Sequence, residues 1–229
     1  MRRRWLPAVV GLVLLVGCGG GGSGASRAPA TTTTTRPTVE ADKTRATRAL
    51  LTAVDLPGYT EKTADNSPDP SDAAFKACLG NDPVLTRDET SDPRHAVGKE
   101  LDKGTSFVAS EAVVAESEDQ ARAAVVRLRG PDVPACFANG LAGVKDPDVS
   151  FANTTAKPLA TATAGDETAG LRVVTTATSG TVSLKFTIDF EVARRDRALA
   201  LLTTSATGAG FGDAERTALA QKMVERLTA

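Results

Sequence analysis

The chain has 229 residues, of which 41% are hydrophobic, 24% charged and only 4% aromatic, and its formal net charge at pH 7 is −1. This composition is typical of a globular protein and excludes collagen-like chains and disulfide-dense small scaffolds. A single histidine and three cysteines leave almost no material for a histidine–cysteine zinc site. We therefore expect neither a metal site nor a cofactor.

The first 18 residues have the order of a bacterial export signal. Three arginines at residues 2–4 precede an apolar stretch, residues 5–16, which is shorter than the roughly 20 residues of a transmembrane helix. The stretch ends in Leu-Val-Gly-Cys at residues 15–18, which resembles the lipobox of bacterial lipoproteins. This resemblance implies that residues 1–17 are removed and that Cys18 becomes an N-terminus acylated with fatty acids such as palmitate. The alternative is an ordinary secretory signal in which Cys18 is incidental.

Lipidation at Cys18 predicts attachment to the outer face of the cytoplasmic membrane, because two acyl chains anchor a protein stably where one does not. Removal of residues 1–17 leaves 24 of the 27 basic residues against 28 acidic residues, a net charge of −4. This charge argues against general nucleic-acid binding, which depends on neutralising phosphates. Residues 18–41, rich in glycine, threonine and proline, are predicted to form a disordered tether.

Residues 42–229 are predicted to form a single domain. Apolar residues recur at helical spacing in residues 42–54, and a second, shorter helix fits residues 71–79. The polar, proline-containing segment 80–103, which includes His95, is predicted to be a loop.

The middle of the domain alternates between strand and helix patterns. Residues 105–115 are predicted to form a strand with apolar residues on both faces. Ser117, followed three residues later by Gln120, predicts the capped start of a helix that ends at Gly130-Pro131. A further helix fits residues 132–141, with a proline in its first turn.

The clearest strand covers residues 182–192, where six apolar residues alternate with polar ones. This alternation predicts one buried, apolar face and one wet or partly covered face. Strand-like segments flank it at 171–178 and 198–204, and a capped helix fits residues 213–227. The predicted fold class is α+β, with an antiparallel sheet, helices packed on one face and one disulfide.

Cys78 and Cys136 remain in the folded domain after lipidation of Cys18. Outside the membrane a disulfide between them would persist, and it would close a loop of 58 positions. Two buried free thiols are the alternative. A catalytic cysteine is a weaker alternative, because the lone His95 lies in a predicted loop with nothing to orient it.

Two further groups of charged residues each have a possible binding role and an ordinary structural role. Four acids around two prolines could bind calcium or simply cap turns: Asp65, Asp69, Asp72 and Asp82. Three arginines could meet an anionic headgroup or wall polymer, or could belong to an ordinary turn: Arg194, Arg195 and Arg197. The motifs of serine nucleophiles and of phosphate-binding loops are missing from the sequence.

Several features together resemble secreted lipoproteins of high-GC actinobacteria: the signal, the glycine and threonine tether, the segment LLTAVDLPGY at residues 50–59, two cysteines in the body and a final strand–helix unit. Residues 46–229 also resemble, loosely, the extracellular sensor domains of Ser/Thr kinases from these bacteria. This resemblance implies an α+β, disulfide-stapled domain that binds ligands or wall components. Several such domains have two disulfides, whereas this chain can form only one.

We therefore expect a non-enzymatic surface lipoprotein that binds a small apolar ligand or a cell-envelope component. One alternative is a protein-interaction or accessory subunit of an envelope complex. A second alternative is a glycan hydrolase, which needs two carboxylates facing each other across a cleft, roughly 5–9.5 Å apart. Glu111 and Asp189, both on predicted strands, are the candidate pair.

Overall fold

An antiparallel sheet of eight strands organises the protein. The computed structural model describes residues 38–62, 75–80, 82–86, 92–144, 149–208 and 210–228. The strands are β1 (Thr60–Lys62), β2 (His95–Val97), β3 (Glu100–Lys103), β4 (Ser106–Val114), β5 (Ser150–Pro158), β6 (Glu167–Ser179), β7 (Val182–Arg195) and β8 (Ala198–Thr207). Their order is β1-β3-β4-β8-β7-β6-β5, and β2 also pairs with β4. Residues 37–229 form one compact unit.

Longer helices in the described ranges are α1 (Val39–Ala49), α2 (Glu118–Leu128), α3 (Val133–Ala142) and α4 (Asp213–Thr228), and residues 75–78 are also helical. The predicted cap of α2 is confirmed, because the hydroxyl of Ser117 accepts the backbone N–H of Gln120 at 3.2 Å. Helix α1 begins three residues before the predicted start, since Thr38 caps it by accepting the N–H of Ala41. Within the described ranges, no helix combines the length and apolar composition needed to cross a membrane.

The helices cover both faces of the sheet, whereas the sequence predicted that they would cover one. Successive side chains of a strand point to opposite faces. Accordingly, Ala198 and Ala200 pack with α1 and α4, whereas Leu199 packs with α2 and α3. Strands β4 and β8 are apolar on both faces, so each face needs a cover. The α+β class, the antiparallel sheet and the single disulfide are confirmed.

The two faces are named here by their helices. The α1/α4 face buries Ala46, Leu101, Val108, Ala112, Val114, Ala200, Leu202, Leu219 and Met223. The α2/α3 face buries Val113, Ala121, Val125, Phe137, Leu171, Val173, Val192 and Leu199. Many of these side chains are small, so the helices can approach the sheet closely.

Strand β7 reverses the burial that its sequence pattern predicts. Its polar residues Thr187, Asp189 and Glu191 are only 4%, 1% and 1% exposed. The alternating apolar residues are half-buried at Phe186 and Phe190. The polar side is the deeper one because it lies under α4, which supplies a charged partner described below.

Several short strands escaped prediction. Segment 80–103 was expected to be a loop, yet it contains β2 and β3, which pair side by side along β4. Strand β5 (Ser150–Pro158) was also missed, and it pairs with β6 across a register shift between Ala152 and Thr155. These strands are short or irregular, so local pattern alone does not define them.

The predicted disulfide joins Cys78 to Cys136, with the two Cα atoms 5.5 Å apart. It ties the helical residues 75–78 to α3 on the α2/α3 face. Beside it, the rings of Phe75 and Phe137 stack with centroids 4.8 Å apart, and Phe190 of β7 meets both rings edge-on. The bond therefore fixes a segment that carries part of the core.

Replacing both cysteines, Cys78→Ser with Cys136→Ser, should lower the free energy of unfolding by about 4 kcal/mol, because the unfolded chain regains the freedom of a long loop. Urea unfolding of the double variant and the parent protein measures this difference. A Cys18→Ser variant is the control and should unfold like the parent. Free-thiol titration of the native parent that found Cys78 and Cys136 reactive would contradict the pairing.

A second tie joins the segment after α1 to helix α4. Arg226 donates to both carboxylate oxygens of Asp55, at 2.6 and 2.9 Å, and Lys222 lies 3.3 Å away. Burial alone raises the pKa of Asp55, but the bonds from Arg226, the N–H of Thr52 and Lys222 outweigh it and lower the pKa from 3.8 to about 2. The ionised carboxylate is therefore favoured by the fold.

A lowered pKa in the folded state means that this stabilisation is complete only above about pH 5 and is lost progressively as pH falls through 3.8 towards 2. The shift corresponds to about 2 kcal/mol. In Asp55→Asn the contribution should be missing at every pH. The difference in unfolding free energy between parent and variant should therefore shrink as pH falls from 5 to about 2. A difference that stayed constant over this range would contradict the assignment.

Candidate binding cleft

An open cleft of about 390 Å³ lies where α1, the β7–β8 turn and the end of α4 meet. Its lining residues are Ala41, Asp42, Arg45, Arg48, Asp196, Arg197, Leu227 and Thr228. The volume is within the range of small-molecule binding sites. Six of the eight lining residues are polar or charged, so the cleft offers charged groups to a ligand.

Asp42 forms the floor of the cleft and is 2% exposed. It shares the buried stripe of α1 with Ala46 and Ala49. Its two oxygens accept hydrogen bonds from Arg197, and Arg94 lies 3.4 Å away. The bidentate hydrogen bonds between Asp42 and Arg197 fix α1 to the β7–β8 turn.

Arginines also form the wall of the cleft. Arg45 donates to the backbone oxygen of Leu227 and lies 3.4 Å from Asp196. Arg48 follows one turn later on α1 and is exposed. With Arg197, the lining contains three arginines and two carboxylates, and two of these arginines, Arg45 and Arg197, are paired with those carboxylates.

A second charged cluster lies under α4, where Arg216 is 1% exposed. Arg216 donates to Glu191 at 2.9 Å, to Asp189 at 3.2 Å and to Asp213 at 2.7 Å. Arg172 binds both oxygens of Asp189 from the neighbouring strand, at 2.6 and 2.7 Å. Burial raises the pKa of Glu191 even though Arg216 favours its ionised form. These hydrogen bonds join the residues of the cluster to one another, and they dock α4 onto β7.

The structure separates the two carboxylates that the sequence offered as a hydrolytic pair. Glu111 lies opposite Leu201 in the sheet register and therefore belongs to the α2/α3 face, where it lies 2.9 Å from the imidazole of His95. Asp189 lies on the α1/α4 face, beneath Arg216. The sheet stands between them, so they cannot flank a common substrate. His95, expected in a loop, is on β2 and is 6% exposed.

The three arginines near the β7–β8 turn do not form one cationic patch. Arg194 is 4% exposed and bonds to Glu118 and Glu167 on the α2 side. Arg195 bonds to Asp166, and Arg197 bonds to Asp42. Each is occupied by a carboxylate, so the expectation of a shared headgroup site is not supported. Only Arg197 contributes to the cleft.

The remaining predicted residues have mixed outcomes. Cys78 and Cys136 are paired as predicted. Cys18, residues 1–17 and most of the tether lie outside the described residues. So do Asp65, Asp69 and Asp72, whereas Asp82 accepts the N–H groups of Val84 and Leu85 in a turn. No cluster of metal-ligating side chains occurs in the part of the chain that the structure describes.

The cleft residues were missed in the sequence, although a signal was present. Asp42 occupies a helical position whose neighbours at four and seven residues, Ala46 and Ala49, are apolar. An acid in a buried stripe requires a cationic partner. Arg45 and Arg48, three residues apart, lie on one side of the same helix.

Comparisons with known proteins find similarity to a solved structure. No protein-family model matches the chain, and no curated protein matches its sequence. The extracellular domain of PknH from Mycobacterium tuberculosis is similar at a TM-score of 0.45 and 14% identity, over 81% of this chain and 96% of that chain. At this TM-score the likeness assigns no function to the chain.

Asp42→Ala should destabilise the protein by about 3 kcal/mol, because Arg197 and Arg94 lose the carboxylate that neutralises them in a mostly buried position. Asp196→Asn is the control on the same cleft, because Asp196 has a φ of 54° that asparagine tolerates and alanine does not. Its carboxylate is 70% exposed, so the cost should be about 0.5 kcal/mol or less. Urea unfolding at neutral pH measures both, and equal effects would contradict the role given to Asp42.

Proposed function

We propose that this protein is an extracytoplasmic lipoprotein, anchored through Cys18, whose folded body binds a ligand or a cell-envelope component without catalysis. The observation that carries the proposal is the disulfide between Cys78 and Cys136. Such bonds persist in oxidising compartments. The N-terminal sequence has three arginines, then an apolar stretch and then Cys18. In this proposal the arginines and the apolar stretch direct export to such a compartment, and Cys18 carries the lipid that attaches the protein to the membrane.

Two features of the body support binding rather than chemistry. Among the described residues, the carboxylates at positions 42, 55, 189 and 191 are each bound by an arginine, which reduces their availability as acids or bases. The cleft beside α1 is open to solvent and has charged walls. A polar ligand could therefore enter it without displacing core residues.

The second candidate function is that of an accessory subunit that binds another envelope protein. It is favoured by the exposed apolar residues at the start of β7, where Val182 is 58% exposed and Leu184 is 39% exposed. Exposed apolar groups on a projecting hairpin are typical of contact surfaces. Crosslinking in cells from position 182 would test this function, and capture of no specific partner would count against it.

Cys18→Ser should abolish fatty-acid incorporation and move the protein from the membrane fraction to the soluble fraction, because the thiol that carries the lipid is removed. Metabolic labelling with an alkyne fatty acid, followed by fractionation, measures both effects. Ser23→Ala, a nearby change in the tether, is the control and should leave labelling and membrane attachment intact.

Two outcomes would overturn the anchoring proposal. One is a parent protein that is unlabelled and retains Met1. The other is a Cys18→Ser variant that is labelled as strongly as the parent. The redox state of Cys78 and Cys136 reports independently on the compartment of the folded body. Free thiols at these positions in the cellular protein would also contradict an extracytoplasmic body.

A further inference from the structure

We infer that an uncovered part of the α1/α4 face, on strands β5, β6 and β7, binds an acidic glycan. The inference rests on the proposed function and narrows it to a class of envelope component. The surface, named here the hydroxyl–lysine face, consists of Thr155, Lys157, Thr176, Thr178, Ser183 and Lys185.

The sheet register places these residues on one side. Lys157 pairs with Arg172, and Thr176 pairs with Lys185. Arg172 bonds to Asp213 of α4, which identifies this side as the α1/α4 face. Because side chains alternate along a strand, Thr176 lies on the same side as Arg172.

Helix α4 and the turn before it do not extend over this surface. The turn closes over the sheet at Thr187, whose hydroxyl donates to the backbone oxygen of Gly208. Gly210 approaches so closely that a Cβ there would lie 2.7 Å from Thr187. Beyond this point Ser183 and Lys185 are exposed. Lys157, which lies opposite Arg172 on the outer strand β5, is exposed as well. A polar strip along β5, β6 and β7 is therefore open to solvent.

The charge on this strip is positive. Within the described ranges, Lys157 and Lys185 form no ion pair. The carboxylates of Asp189 and Asp213, at the border of the strip, are taken up by Arg172 and Arg216. The two ammonium groups therefore face solvent without a neighbouring acid to neutralise them, in a protein whose overall charge is negative.

The spacing of the charges favours a polymer over a small anion. Lys157 and Lys185 are separated by two strand spacings and by four positions along the strands, which places their Cα atoms about 17 Å apart. Along the strands, Thr155 lies between the two lysines, Thr176 lies opposite Lys185, and the hydroxyls of Thr178 and Ser183, 2.8 Å apart, lie just beyond Lys185. An extended chain with repeated carboxylates and hydroxyls can contact both lysines and this hydroxyl row together.

The test uses the full-length protein, purified from membranes in detergent, and three immobilised probes at low salt. Polygalacturonate is the acidic glycan, dextran is the neutral glycan and inorganic polyphosphate is the polyanion without sugar hydroxyls. The variant Lys157→Gln with Lys185→Gln should weaken binding to polygalacturonate roughly tenfold. Its matched control, Lys43→Gln with Lys76→Gln, removes the same charge from other parts of the surface and should bind like the parent.

A second variant, Thr176→Val with Thr178→Val, tests the hydroxyl row. It should weaken binding to polygalacturonate but leave binding to polyphosphate unchanged. The inference is overturned if the Lys157/Lys185 variant and the Lys43/Lys76 control lose affinity for polygalacturonate equally. It is also overturned if the parent protein binds dextran as well as polygalacturonate, or if the threonine variant binds polygalacturonate like the parent. Unfolding in urea checks that each variant is folded.

The same protein preparations distinguish a failure of the glycan-binding inference from a failure of the proposed lipid anchor. Protein that carries fatty acid on Cys18 and fails to bind polygalacturonate refutes the glycan site and leaves the anchor intact. Protein without fatty acid that binds polygalacturonate through Lys157 and Lys185 supports the glycan site and refutes the anchor.

Discussion

The fold depends on arginine–carboxylate pairs buried between the sheet and the helices of its α1/α4 face. Arg216 of α4 reaches Asp189 and Glu191 of β7, and Asp42 of α1 receives Arg197 from the β7–β8 turn. Each pair is costly to desolvate, so its net contribution to stability is small, but the loss of one partner leaves a charge without compensation. The pairs therefore define where each helix docks more than how strongly it docks.

These internal pairs also shape the surface. Arginines such as Arg172 and Arg194 are paired with acids. Among the described residues, Lys157 and Lys185 form no ion pair, and the strip of sheet around them is therefore positively charged. In a chain of net negative charge, such local excesses of positive charge attract anionic ligands.

The opposite face is held together differently. It contains the aromatic contacts of Phe75, Phe137 and Phe190 and the bond between Cys78 and Cys136. The described cores contain many alanine and valine residues, each of which buries little apolar area. A covalent link that restricts the unfolded chain complements such a core, and it is also consistent with a body that works in an oxidising compartment.

The sequence by itself determined the α+β class, the long strands β4, β6, β7 and β8, helices α2 and α4, and the cysteine pairing, because each rests on a local period, a cap or a simple count of thiols. Tertiary structure decided what local pattern cannot contain: the short strands β2 and β3, which form against β4, and the covering of both faces. It also decided the burial of β7, where alternation predicted an apolar core side. Asp189 and Glu191 are buried instead because Arg216, 25 residues beyond Glu191 in the chain, is folded back over them, and a buried charge is stable only beside its partner.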